Sequence, residues 1–128
     1  MEIKTEKKDQ FIDITSQINS VLRSSEVKNG LCNVYIPHTT AGVTINEGAD
    51  PSVVSDILTY LRQLVPESNS YTHMEGNSHA HIKALLTGCE KTIPVQNGSL
   101  QLGTWQKVFF CEFDGPRRRN FLVKIIHA

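Results

Sequence analysis

The stretch that decides the fold is Trp105–Ile126, WQKVFFCEFDGPRRRNFLVKII. It contains two β-rich runs, Trp105–Phe113 and Phe121–Ile125, and the turn signal Asp114-Gly115-Pro116 separates them. The alternating apolar residues of the second run are typical of a strand with one buried face. We therefore predict that the chain ends in an antiparallel meander, whose second face is left for solvent or for a partner subunit.

Two main helices are predicted upstream of these strands. The first begins at a cap formed by Thr15 or Ser16 and ends at Asn29-Gly30, where a positive φ is tolerated. The second begins at Asp50-Pro51, a capping carboxylate followed by proline at the first helical position, and ends before Pro66. Its apolar side chains form one broad stripe: Val53, Val54, Ile57, Leu58, Leu61 and Leu64.

The other segments complete an α+β order, β-β-α-β-β-α-β-β-β, with a short extra helix starting at Ser78. Glu2–Lys7 and Gln10–Ile14 predict an opening hairpin. Asn97-Gly98 is the clearest hairpin turn in the chain. The length of 128 residues favours a single domain spanning residues 1–128.

Composition excludes several classes of protein. The formal net charge is +0, whereas nucleic-acid binders usually carry a basic excess, so we expect no nucleic-acid partner. The N-terminus lacks an apolar signal segment and no run approaches a membrane span, so we expect no membrane association. The three cysteines, none in a CxxC pair, are interpreted as reduced thiols in or near the core. We expect a cytoplasmic protein.

Three histidines are the strongest candidates for chemistry. His38, His73 and His81 lie in polar segments, the first two near glycines, rather than in apolar core runs. A turn at Gly76 would bring the rings of His73 and His81 together, and His38 would join them from a strand end. Imidazole-rich sets suit a divalent cation, with zinc the best match, although nickel, copper and iron also bind them. The alternative is that these histidines cap helices, hydrogen-bond locally or lie on a solvated loop.

Acidic and basic residues supply further candidates. Glu47 lies at a strand end, where a carboxylate can act as general base, and we pair it with His81 as the candidate catalytic groups. Glu112 interrupts an apolar strand and needs a partner, for which Arg117 and Arg119 are the candidates. These arginines also suit a phosphate group, because a guanidinium presents a planar fork of donors. The alternative interpretation of the basic run Arg117-Arg118-Arg119 is a solvated turn.

Together these segments resemble the YjbQ-type family of small, poorly characterised proteins. The matching motifs run in family order over nearly the whole chain: Pro37-His38-Thr39-Thr40-Ala41-Gly42, Asn46-Glu47, Asp50-Pro51, His73, Glu75-Gly76-Asn77-Ser78, Ala80-His81-Ile82-Lys83, Ile93-Pro94-Val95, Gly98, Leu102-Gly103-Thr104-Trp105-Gln106, Glu112, Asp114-Gly115-Pro116-Arg117 and Arg119. The chain departs from the family pattern at Asn77, where many relatives carry an aspartate. The neutral amide lacks that charge, and Glu75 is the carboxylate that would replace it.

The resemblance implies two packed, mostly antiparallel β-sheets with two main helices, and a homotrimer with sheets around the threefold axis. It also implies a secondary thiamine-phosphate synthase activity, which joins hydroxymethylpyrimidine diphosphate to a thiazole phosphate and releases pyrophosphate. We assign the binding of such a phosphorylated ligand to Thr39, Thr40, Asn77, Gln106, Arg117 and Arg119. A binding protein without catalysis and a purely structural trimer remain as alternatives, because fold and family do not fix function.

Overall fold

The computed structural model describes residues 1–128 and confirms the α+β class. Three helices are present: α1 (Thr15–Ser25), α2 (Pro51–Leu64) and α3 (Ser78–Thr87). Nine strands accompany them: β1 (Glu2–Lys4), β2 (Gln10–Asp13), β3 (Gly30–Tyr35), β4 (Ala41–Glu47), β5 (Glu90–Gln96), β6 (Ser99–Leu100), β7 (Gln106–Glu112), β8 (Arg118–Asn120) and β9 (Leu122–His127).

The strands form two larger sheets and one short ribbon, and every pairing is antiparallel. The four-stranded sheet has the order β6-β5-β3-β9, and the three-stranded sheet has the order β2-β7-β4. The ribbon pairs β1 with β8. Asn97 and Gly98 form the predicted turn between β5 and β6, and both have positive φ, as the tight hairpin requires.

Two predicted strand pairings are wrong. β1 and β2 do not form an opening hairpin, because β1 pairs with β8 and β2 pairs with β7. The terminal strands do not form a meander, because β7 and β9 lie in different sheets. The physical reason lies in β7, whose residues Val108–Glu112 are all buried. Such a strand needs a hydrogen-bonded neighbour on each edge, and β2 and β4 supply them from distant parts of the chain.

The core has two compartments, one on each face of β7. Val108 and Phe110 face the main core, which both larger sheets and α1 line. Phe109, Cys111 and Phe113 face the other way, against Ala80 and Ala84 of α3 and the partly buried Val54 and Leu61 of α2. The molecule therefore stacks the four-stranded sheet, the three-stranded sheet and the pair α2–α3 in layers. This arrangement places the end of β7 beside the start of α3.

The helix ends differ in how well local signals predicted them. Asp50 caps α2 as predicted, since its Oδ1 accepts a hydrogen bond from the Ser52 amide at 2.9 Å. Thr15 does not cap α1, because its hydroxyl accepts the Val108 amide instead. α1 also ends earlier than Asn29, with Glu26 in the left-handed conformation at φ 57°.

A large apolar surface stays uncovered in the single chain. α2 has no buried residue, and its predicted apolar stripe is only half covered. On the outer face of the four-stranded sheet, Leu31 lies opposite Ile126 and Tyr35 lies opposite Leu122. All four side chains are exposed, as are Tyr60, Leu64, Leu85 and Leu86 on the helices. None of the three helices has the length and hydropathy that crossing a bilayer requires.

Candidate functional site

One polar cavity collects most of the predicted site residues. It has a volume of about 790 Å³ and lies where the β3–β4 connection, the loop before α3 and the β7–β8 turn meet. We call it the histidine cavity, because His38, His73 and His81 all line it on one chain. Its other predicted members are Thr39, Thr40, Asn77, Arg117 and Arg119. Polar atoms provide most of its walls, so the cavity suits a hydrophilic ligand.

His38 is held as a neutral ring. Its Nε2 lies 2.9 Å from the amide nitrogen and 3.1 Å from the carbonyl oxygen of Asn120, so the backbone of Asn120 anchors the ring through Nε2. Burial and then the nearby charge of Arg119 lower the pKa of His38 from its ordinary value of 6.5. His38 therefore enters the cavity as an uncharged ring, held through Nε2 and with Nδ1 free for a ligand.

A buried ion pair holds Arg119, one of the residues that line the cavity. The guanidinium of Arg119 contacts both carboxylate oxygens of Glu112, and its Nη2 also donates to the Thr40 hydroxyl at 2.8 Å. The two side chains are 4% and 0% exposed. Burial alone would raise the pKa of Glu112, but donors from Arg119, the Asp114 amide and Thr5 outweigh it and hold the pKa below 4.5. Of the two partners predicted for Glu112, Arg119 is therefore confirmed, whereas Arg117 pairs with Asp114 instead.

Arg119 keeps one donor group for a ligand. Its Nε and Nη2 are used within the protein, whereas Nη1 makes no hydrogen bond and is not among the buried polar atoms that lack a partner. Since Arg119 also lines the cavity, Nη1 is the nitrogen placed to face a bound anion. The rest of the side chain is fixed, so this donor costs little conformational entropy to use.

A second arginine lies at the rim. Arg117 donates from Nη2 to Oδ2 of Asp114 at 3.1 Å and from Nε to the Asp114 carbonyl at 2.9 Å. The same carboxylate oxygen accepts from the amide of Asn77 at 3.0 Å, which ties the β7–β8 turn to the start of α3. The Arg117 side chain is half exposed, so it can turn toward a ligand while Asp114 stays anchored. The Oδ1 atom of Asn77 is buried without a partner.

The histidines do not form a ready-made metal centre. The rings of His73 and His81 are perpendicular, with their centroids 5.5 Å apart. No three His, Cys, Asp or Glu side chains are close enough to hold one ion, and Nε2 of His38 is already engaged. The predicted metal ligands thus share a cavity but not a coordination sphere.

Two predicted residues lie elsewhere. Glu47 is paired with Gln106 at the far end of the β4–β7 ladder, whereas the cavity adjoins the end where Ala41 pairs with Glu112. Six residues of strand separate the two ends, which is about 20 Å. Glu47 and Gln106 therefore do not reach the histidine cavity of their own chain.

Three features of α3 and the segment that follows it escaped the sequence interpretation. Cys89 is exposed and lines the cavity, so the expectation that all three thiols lie in or near the core is wrong for this one. Lys83 is fully buried, and its Nζ lies 3.0 Å from Oδ2 of Asp9. His79, on the same side of α3, is also buried, and burial lowers its pKa. The only sequence signal was the i, i+4 spacing of His79 and Lys83 on a short helix.

Comparison with known proteins gives a consistent result. The sequence profile described as "UPF0047 protein YjbQ-like" matches residues 1–128. A UPF0047 protein of Methanocaldococcus jannaschii is 56% identical over 125 residues, covering 98% of this chain and 91% of its own. The UPF0047 protein YugU of Bacillus subtilis is 46% identical over 127 residues, covering 98% and 96%. A crystal structure from Clostridium acetobutylicum, described as an uncharacterized conserved protein of the yjbq/upf0047 family, is 53% identical, covers 98% of both chains and superposes with a TM-score of 0.97.

Proposed function

Because the chain belongs to the YjbQ-like UPF0047 family over its whole length, we propose that its histidine cavity binds a small phosphorylated ligand. The observation that carries the proposal is the meeting of two arginines and three histidines in one polar cavity of about 790 Å³. That volume suits a ligand of metabolite size. Arg119 would hold a phosphate oxygen through Nη1, and Arg117 would close over it from the rim. His38 would contact the ligand through Nδ1.

The catalytic form of this proposal is the thiamine-phosphate synthase reaction. The thiazole ring nitrogen forms a bond to the methylene carbon of the pyrimidine, and the bond from that carbon to the diphosphate oxygen breaks. Pyrophosphate leaves with the bonding electron pair, so groups that stabilise its negative charge accelerate the step. Arg117 and Arg119 fit this role, and His81 would donate a proton to the departing oxygen. Glu47 would take part only if a neighbouring subunit brought it to the cavity.

The alternative is a binding protein without turnover. It is favoured by the state of the carboxylates in and behind the cavity wall, since Glu112 is committed to Arg119, and Asp114 to Arg117 and Asn77. Glu75 is the remaining acidic side chain in the lining. A site with so few free carboxylates has no obvious general base and is better equipped to hold an anion than to accept protons.

Binding of the two candidate substrates tests the proposal. Thiazole phosphate and hydroxymethylpyrimidine diphosphate are titrated by calorimetry, and product formation is followed by mass spectrometry at high protein concentration. Arg117→Gln should weaken binding about tenfold, the loss of one charge-assisted hydrogen bond at a half-exposed site. Arg118→Gln is the matched control, because Arg118 pairs with Glu2 and does not line the cavity. Equal affinity in both variants would refute the ligand site, and binding without product would establish the non-catalytic form.

Zinc binding by His38, His73 and His81 is a separate proposal. The imidazole-rich composition supports it, but His73 and His81 would have to turn toward a common point, and His38 would have to bind through Nδ1. Elemental mass spectrometry on untagged protein should find zinc near one per subunit, lost in His81→Ala and retained in His127→Ala. Absence of metal from the wild type would rule out the zinc site and leave the anion site standing.

We also propose that the protein is a cytoplasmic homotrimer. The exposed apolar pairs Leu31–Ile126 and Tyr35–Leu122 on one sheet face support self-association. Three free cysteines fit a reducing compartment. Light scattering should give three times the 14.3 kDa of one chain, about 43 kDa. Leu31→Glu should lower that mass, and a monomeric wild type would contradict the proposal.

A further inference from the structure

A second cavity, far from the histidines, is lined by residues that the proposed function leaves unused. It has a volume of about 460 Å³ and lies between α1 and the segment around residues 98–107. We call it the Arg23–Lys107 cavity. Thr15, Asn19 and Arg23 form its helical wall, since residues four apart lie on one helix face. The opposite wall includes Gly103, Thr104 and Gln106, and Gln106 is at the β7 end distant from the histidine cavity.

Both charged side chains of this cavity are positive, and neither is neutralised. None of its lining residues is acidic. Arg23 is the only one of the five arginines without a carboxylate within 4.0 Å, and its guanidinium donates only to the Ser20 hydroxyl at 3.2 Å. Lys107 takes part in none of the protein's six ion pairs. In a chain with 13 acidic and 13 basic residues, two unpaired cations at one concave site favour an anionic ligand.

The neutral groups of the cavity are mainly unused donors. Gln106 accepts the Gly103 amide through Oε1, which leaves its Nε2 hydrogens free. The backbone amide of Thr104 has no hydrogen-bond partner within the protein. Thr15 is 7% exposed, and its hydroxyl accepts from the Val108 amide at 2.9 Å, so its proton remains available. Gly103 keeps this wall free of a side chain beside Gln106.

We infer that the Arg23–Lys107 cavity is a second anion site, which binds a small phosphate monoester. Two unit positive charges match the two negative charges of such an ester near neutral pH, whereas a carboxylate would neutralise only one. The phosphate oxygens would contact Arg23 and Lys107, and the amide donors of Gln106 and Thr104 would complete the ring. The inference does not depend on the proposed function, because the two cavities share no residue.

The single tryptophan of the chain provides a local probe. Trp105 is 63% exposed and lies between two lining residues, so a ligand that orders these residues should change its fluorescence. Inorganic phosphate and glycerol 3-phosphate are titrated to about 10 mM at pH 7.5, where a millimolar site approaches saturation. Acetate and potassium chloride at matched ionic strength separate phosphate binding from carboxylate binding and from screening. Amide resonances of residues 103–107 are followed in parallel by NMR.

Phosphate and its monoester should change both signals, and acetate and chloride should not. Arg23→Gln and Lys107→Gln should each weaken the response about tenfold, since each removes a charge-assisted contact. Lys124→Gln and Arg117→Gln are the controls, one an exposed lysine outside both cavities and the other a residue of the histidine cavity. The inference is overturned if neither signal changes, if acetate is as effective as phosphate, or if only Arg117→Gln abolishes the response. If the response disappears only in Arg117→Gln, phosphate binds in the histidine cavity instead.

Discussion

Glu112→Gln is the substitution whose effect the structure defines most fully. Glutamine has nearly the same shape as glutamate, so packing around β7 should be preserved. The change removes the charge that faces Arg119, whose side chain is only 4% exposed. It also places an NH2 donor at one of the two carboxylate oxygens, either Oε1, which accepts from Thr5, or Oε2, which accepts from the amides of Phe113 and Asp114. The variant therefore leaves the buried guanidinium of Arg119 without its counter-ion. It also brings the new NH2 group against neighbouring groups that donated hydrogen bonds to the carboxylate.

The expected loss is about 3–5 kcal/mol, the usual cost of removing one partner from a buried ion pair. A chain of 128 residues has an unfolding entropy of about 0.27 kcal/mol/K, from about 2.1 cal/mol/K per residue. The melting temperature should therefore fall by about 11–19 °C. Glu2→Gln is the matched control, because Glu2 pairs with Arg118 on the surface and such pairs contribute at most about 1 kcal/mol.

The same pair predicts how stability depends on pH. The folded pKa of Glu112 lies below its ordinary value of 4.5, so its contribution is complete above that pH and is lost as the pH falls through the folded pKa. Calorimetry or circular dichroism from pH 7 to pH 3 should show the wild type losing its advantage over Glu112→Gln. A fall of less than about 4 °C at pH 7, or a gap independent of pH, would refute the ion pair as a stabilising feature.

Three further measurements test other parts of the structure. Cys89 should be the single thiol that reacts with Ellman's reagent in the native protein, since burial raises the pKa of the other two thiols and hides them; two or more native equivalents would contradict this. The ring of His38 should titrate below 6.5 by NMR, because the folded protein favours its neutral form. The protein should therefore be more stable above that pH than below it. A midpoint above 6.5 would exclude the assigned neutral ring. Lys83→Met should lower the free energy of unfolding, measured with denaturant, by about 3 kcal/mol, because it leaves the buried carboxylate of Asp9 without its counter-ion. Adding Asp9→Asn to the same chain should recover part of the loss. Unchanged stability of Lys83→Met would contradict the buried pair.

Local sequence signals predicted helix starts and tight turns better than they predicted which strands pair. Asp50-Pro51 and Asn97-Gly98 act through their own backbone, so capping and turn chemistry suffice to place them. The partners of β1 and β2 depend on contacts with residues about 100 positions away, and no neighbouring residue encodes them. The start of α1 shows the same limit, because a distant strand takes the Thr15 hydroxyl that was expected to cap the helix.

The site divides along similar lines. Polar residues in glycine-containing loops were suitable candidates, and the structure gathers His38, His73 and His81 in one cavity. Their role as zinc ligands stays a prediction. Glu47 looked equivalent by residue type, but the β4–β7 register sends it to the opposite end of the ladder. Lys83 could not be recognised as buried, because Asp9, its partner in the ion pair, lies more than 70 residues earlier in the chain.

The incomplete burial of α2 has a consequence for local unfolding of the molecule. The helix touches the rest of the chain mainly through the partly buried Val54 and Leu61, so little apolar area opposes its detachment. Its amides should exchange with deuterium through local opening, at a free energy well below that of global unfolding, while those of β7 should exchange only when the whole domain unfolds. If a second copy covers Tyr60 and Leu64, dilution should accelerate exchange in α2 and leave β7 unchanged.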